Sequence, residues 1–164
     1  NMARNEALAV LHSVLDFRRV IDVPGYERIS VAEDTRFIAT MNYNYAGTRE
    51  LNEALASRFV VIQMPPLTQD DLQRLLKDQF PDLTAKYNKQ FALLFLDLQK
   101  KCENGDLRGT LDAISLMQKG IPVRDALDLG ITNKIFDSYE QGLIRDVIAA
   151  RLPAKLRPSE VFGS

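Results

Sequence analysis

Residues 36–64, RFIATMNYNYAGTRELNEALASRFVVIQM, decide the fold. Phe37, Ile38 and Ala39 form one short apolar run and Val60, Val61 and Ile62 another, both rich in residue types that strands favour. Neither run alternates with polar residues, which is the pattern of strands covered on both faces in a parallel sheet. Between them, residues 50–57 keep Leu51, Ala54 and Leu55 at helical spacing, leaving Arg49, Glu50, Asn52 and Glu53 toward water. Pro65 and Pro66 stop the second run because proline cannot donate to a ladder. Strand, helix and strand in that order make one crossover of an open α/β sheet.

Composition narrows the function classes. The chain has 164 residues, 46% hydrophobic and 26% charged, enough for one core or two small ones. Its net charge is −1, and no basic face or stripe is visible, which argues against direct binding of nucleic acid. The apolar runs are too short to cross a bilayer, so no membrane role is expected. One cysteine and one histidine leave no Cys/His metal cluster to build and no internal disulfide, consistent with a reducing cytoplasm.

Upstream of the deciding stretch, residues 2–17 place Ala7, Leu8, Leu11, Val14 and Leu15 on one helical face. His12 lies on this helix without companions that would make it a ligand or a catalytic base. Residues 18–34 predict a β-hairpin, with Val20 and Ile21 on one arm, Ile29 and Val31 on the other, and Pro24-Gly25 at the turn. Downstream the pattern turns helical. Thr68 and Asp71 form a capping-box start, and Leu72, Leu75, Leu76 and Phe80 supply a buried stripe. Further helices are expected near 84–102, 107–119, 123–129 and 138–152, joined by short loops into a small bundle. Cys102 falls at the end of one of them as a small packed side chain.

A strand ending in ATMN, a loop with YAGTRELNEAL, then SRF and a second strand resembles the second half of an AAA+ ATPase core. The flavour is that of the MoxR-like group, in the dynein- and midasin-related branch. The resemblance implies α/β followed by all-α: residues 1–66 as the C-terminal part of a parallel-sheet core, and 67–164 as a helical lid. It maps Asn42 onto the sensor-1 residue, Arg58 onto the arginine finger and Arg108, in GDLRGTLDAISLM, onto the sensor-2 arginine. Arg49 is a second candidate for an intersubunit contact, whereas Gly47 serves the turn. The hairpin would face a central pore, with Tyr26 at its tip as a substrate contact or as an aromatic packed across the turn.

These roles suit phosphoryl transfer, which needs an oriented water and positive charge on the developing anion. An Asn at the carboxyl end of a parallel strand can orient that water, since open α/β sheets bind ligands there. Asn42 can also be read as an ordinary loop residue, and Arg58 as a cation complementing a helix C-terminus. Arg108 stands in the first turn of a helix, where a cation opposes the dipole. A bound phosphate would reconcile the two, and a solvated side chain covering apolar surface is the alternative.

No GxxxxGK[ST] loop and no strand ending in an acidic pair occur in the chain. The resemblance therefore implies a fragment that starts just after the Walker B strand and is inactive alone. Its longer parent would bind ATP and Mg2+, form a ring, as a hexamer, and remodel a client protein or insert its metal or cofactor. A von Willebrand factor A-domain protein is a further expected partner. Two other classes remain: the GTP-using subunit of a methyl-directed restriction system, and a non-catalytic protein-interaction module.

Overall fold

The apolar spacings become helices wherever a packing partner is at hand. The computed structural model describes residues 5–41, 52–102 and 106–163. The chain divides into two compact units, Asn1–Met64 and Pro65–Ser164.

In the first unit, α1 (Asn5–Leu15) is followed by β1 (Val20–Ile21), β2 (Ile29–Ser30) and α2 (Glu53–Ala56). Val14 on α1 and Leu55 on α2 are its buried apolar side chains among the described residues. The expected hairpin is present: β1 and β2 pair antiparallel, with Val20 opposite Ser30 and Ile21 opposite Ile29. At its turn the Tyr26 N–H donates to the Val23 carbonyl at 3.0 Å, and Gly25 takes φ +85°, a left-handed conformation that a side chain would oppose. Arg28 and Asp22 pair across the arms at 2.6 Å. At the base, Arg19 holds φ +49°, which is unfavourable for a residue with a Cβ. Its ties offset that strain: its carbonyl accepts from Val31 N–H at 2.8 Å, and its Nη2 donates to the carbonyls of Ala32 and Thr35, both at 2.9 Å.

The two expected parallel strands do not form among the described residues. Segments 37–39 and 60–62 join no ladder; Ile38 is 94% exposed and Val60 92%. A strand exists only through a neighbour that takes its N–H and C=O groups, and no described segment lies beside either run. Between them, α2 covers Glu53–Ala56 of the expected helix and is capped where Asn52 Oδ1 accepts from the Ala54 N–H at 2.8 Å; residues 50 and 51 lie outside the described residues.

The second unit is a helical bundle: α3 (Gln69–Gln79), α4 (Ala85–Lys101), α5 (Leu107–Gln118), α6 (Val123–Gly130), a 3-10 turn (Thr132–Lys134), α7 (Ser138–Arg151) and α8 (Pro158–Val161). The Thr68 capping box is formed, with its hydroxyl accepting from the Asp71 N–H at 3.2 Å and Asp71 Oδ2 accepting from the Thr68 N–H at 3.0 Å. Phe91, Leu94 and Leu98 of α4 share one buried cluster with Leu72 and Leu76 of α3 and Ile114 and Met117 of α5. Each such side chain contributes roughly 1.5–3 kcal/mol of burial. The 3-10 turn and α8 lie outside the helices expected from periodicity. They are too short for periodicity to mark, and α8 is fixed by long-range contacts. Thr84 N–H donates to the Val161 carbonyl at 3.0 Å and Leu83 bridges to Phe162.

Two contacts tie the bundle together. A Cβ placed on Gly109 would lie 2.6 Å from the Gly130 carbonyl oxygen, and one on Gly130 would lie 2.7 Å from that of Gly109, so α5 and α6 meet backbone to backbone. Arg151 Nε donates to Asp97 Oδ2 at 2.6 Å, joining α7 to α4. That hydrogen bond holds the Asp97 carboxyl below its ordinary value of 3.8.

Two stability outcomes are expected. Gly130→Ala ordinarily favours a helix by up to about 1 kcal/mol. Here the overlap is with backbone, and a net loss of about 1–3 kcal/mol is expected in thermal or urea unfolding. Asp97 is more acidic folded than unfolded, so its contribution is present above about pH 4 and disappears as the pH falls through the folded value. Asp97→Asn should therefore cost about 1–2 kcal/mol near pH 7 and progressively less below pH ~4.

Candidate functional site

Asn42, Arg49 and Gly47 lie outside the described residues. Of the expected site residues, the structure places Arg58 in the first unit and Arg108 in the second.

Arg58 follows α2 in a turn, its N–H donating to the Leu55 carbonyl at 3.1 Å. Its guanidinium Nη1 donates to the Ala54 carbonyl. The side chain thus folds back on the carbonyl end of its own short helix, where a cation complements the dipole. It is exposed, and an exposed hydrogen bond of this kind is worth only about 0.5–1.5 kcal/mol. Reorientation toward a stronger anion is therefore inexpensive. Asp16, in the same unit, has its carboxyl lowered chiefly by the side-chain hydrogen bond from Arg18, with a smaller electrostatic contribution from Arg58.

Arg108 is the second residue of α5 and is exposed. The N-cap is Asp106, whose Oδ1 accepts from the Arg108 N–H at 2.9 Å and Oδ2 from the Gly109 N–H at 3.2 Å. A cation at this helix start therefore does not require a bound phosphate, because the Asp106 carboxylate already supplies negative charge at the positive end of the dipole. The Arg108 guanidinium itself makes no hydrogen bond or ion pair with a described residue. Asp112, one turn along the same helix, is bonded instead to Lys134 Nζ at 2.9 Å.

Tyr26 at the hairpin turn is 80% exposed, so it projects into solvent and does not pack across the turn. His12 is half-buried on α1. Cys102 is buried, and loss of hydration, reinforced by nearby Glu140 and opposed by Lys101, pushes its thiol above the ordinary value of 9.0. It is a packed thiol rather than a nucleophile. Among the described residues no group of His, Cys, Asp and Glu could hold a metal ion. No described helix is long and apolar enough to cross a membrane.

Sequence reading alone missed Arg19, the Gly109–Gly130 contact and the Lys134–Asp112 pair. The last joins residues 22 apart, a separation at which no helical spacing rule operates. Gly109 did offer a signal: a glycine inside a helix, costly in itself, points to close packing.

Residues 1–59 match the AAA domain of the dynein-related subfamily, which supports an AAA+ ATPase family for this part of the chain. The chain is also 34% identical over 155 residues to the uncharacterized protein YojN of Bacillus subtilis, covering 90% of this chain and 51% of that protein. It is 33% identical over 156 residues to the uncharacterized protein SH1500 of Staphylococcus haemolyticus, covering 90% of this chain and 59% of that protein. The chain thus spans between half and three-fifths of the length of these relatives. No solved structure matches.

With Asp106 as the helix cap, Arg108→Ala should leave thermal stability within about 0.5 kcal/mol of the wild type. A larger loss would mean that the arginine stem covers apolar surface and is structural. Native Cys102 should react with a thiol reagent near pH 7 far more slowly than the same cysteine in denaturant.

Proposed function

We propose that this chain is part of an AAA+ ATPase whose whole form binds ATP and Mg2+, assembles as a ring and uses hydrolysis to remodel or activate a client protein. The match of residues 1–59 to a dynein-related AAA domain carries this reading. Supporting it are relatives of which this chain covers only 51% and 59%, which leaves room for the phosphate loop and acidic pair that the chain lacks. The exposed runs 37–39 and 60–62 would then pair with strands of that other part, in a parallel sheet covered on both faces. The second unit would be the lid.

In this reading Asn42 orients the attacking water and Arg58 leaves the Ala54 carbonyl to place positive charge on the γ-phosphate held by a neighbouring subunit. Arg108 meets the nucleotide from the lid. When bound, ATP would supply the transferable phosphoryl group and Mg2+ would supply positive charge against the charge developing on it. The protein's share is positioning and electrostatics. The ring is proposed as a hexamer, working in the cytoplasm beside a von Willebrand factor A-domain partner. The exposed Tyr26 touches the client.

In the full-length protein, Arg58→Ala should lower steady-state ATP hydrolysis by on the order of a thousandfold while ATP binding changes little. Wild-type turnover in that variant would remove the finger assignment. Asn42→Ala should likewise lose hydrolysis with binding retained.

A further inference from the structure

Arg108 and Asp112 stand four residues apart on α5, the spacing at which an arginine and a carboxylate on one helix face are neighbours and ordinarily attract. That pair is not made. Asp112 Oδ2 accepts instead from Lys134 Nζ at 2.9 Å, and Arg108 has no described partner. Lys134 is in place because the end of α6 cannot drift from α5. Gly130 rests on Gly109 backbone to backbone, a Cβ on Gly109 would also lie 3.7 Å from Ile131 Cγ1, and Lys134 closes the 3-10 turn that follows. Its carbonyl-side neighbour is fixed as well, since the Ile135 N–H donates to the Thr132 carbonyl at 3.2 Å.

We infer that Lys134 is a positioning residue: by engaging Asp112 it keeps that carboxylate off the Arg108 guanidinium and leaves the guanidinium available to an anionic phosphate. The inference rests on the proposed role of Arg108 in nucleotide binding and adds what keeps that arginine available. Lys134 and Asp112 are both half exposed, at 45% and 51% of their side chains. Replacing either should leave the fold intact. With Lys134 gone, Asp112 would turn to Arg108 and compete with the phosphate.

The test is a set of ATP affinities, measured with Mg2+ at low ionic strength on the full-length protein and its variants. Lys134→Ala should weaken binding by about twofold, the strength of one such helical pair. Lys134→Arg should bind as the wild type does, and adding Asp112→Asn to Lys134→Ala should restore affinity. In an Arg108→Ala background, Lys134→Ala should have no further effect. If Arg108→Ala weakens binding while Lys134→Ala does not, Lys134 has no positioning role, although the nucleotide reading of Arg108 stands. A loss from Lys134→Ala that persists in the Arg108→Ala background would show Lys134 acting through its own charge and would overturn the inference. Unchanged affinity in Arg108→Ala removes the nucleotide reading itself, and the inference with it.

Discussion

The helical unit depends on one close approach, the backbone contact between Gly109 and Gly130. Because neither residue carries a Cβ, α5 and α6 can approach until carbonyl oxygens lie where a methyl group would stand. Close contact there sets the start of α5, and with it the position of Arg108. It also brings the 3-10 turn alongside α5, so that Lys134 meets Asp112. A contact made by two residues without side chains thus decides what charge is presented at the exposed end of the bundle. The apolar cluster that includes Phe91, Leu94 and Ile114 supplies most of the burial.

Much of the second unit was legible in the sequence because its helices are long enough for a 3.6-residue period to emerge. Thr68 with Asp71 marked one start and Gly120 one end, and the observed elements Gln69–Gln79 and Leu107–Gln118 lie within a residue or so of those signals. In α7, Ile144 and Val147 are the buried residues, with Leu143 and Ile148 at the margin. Arg108 was legible as a candidate, but the reason first given for its position was incomplete. Asp106, two residues upstream, already answers the dipole. Contacts between distant residues, such as Lys134 with Asp112 and Arg151 with Asp97, leave no periodic trace and emerge only from the packed structure.

The first unit shows the opposite balance. Its hairpin was readable because the signal is local, with Pro24 and Gly25 between two short β-branched arms. Its two apolar runs were read as strands of a parallel sheet, and they are exposed without a ladder because strand formation depends on neighbours that residue type cannot supply. Arg58 rests against its own helix, and the finger role proposed for it depends on a charge on another molecule. Asn42, proposed to orient the water, lies outside the described residues. The functional reading of this unit therefore leans on its match to the dynein-related AAA domain, with the exposure of the two runs as physical support.

The proposed function is tested most directly by mixing wild-type and Arg58→Ala subunits of the full-length protein over a range of ratios and measuring steady-state ATP hydrolysis. If Arg58 completes the site of a neighbour in a cooperative ring, activity falls more steeply than the wild-type fraction. A fall in direct proportion to that fraction, each subunit working alone, would contradict both the finger in trans and the ring mechanism built on it.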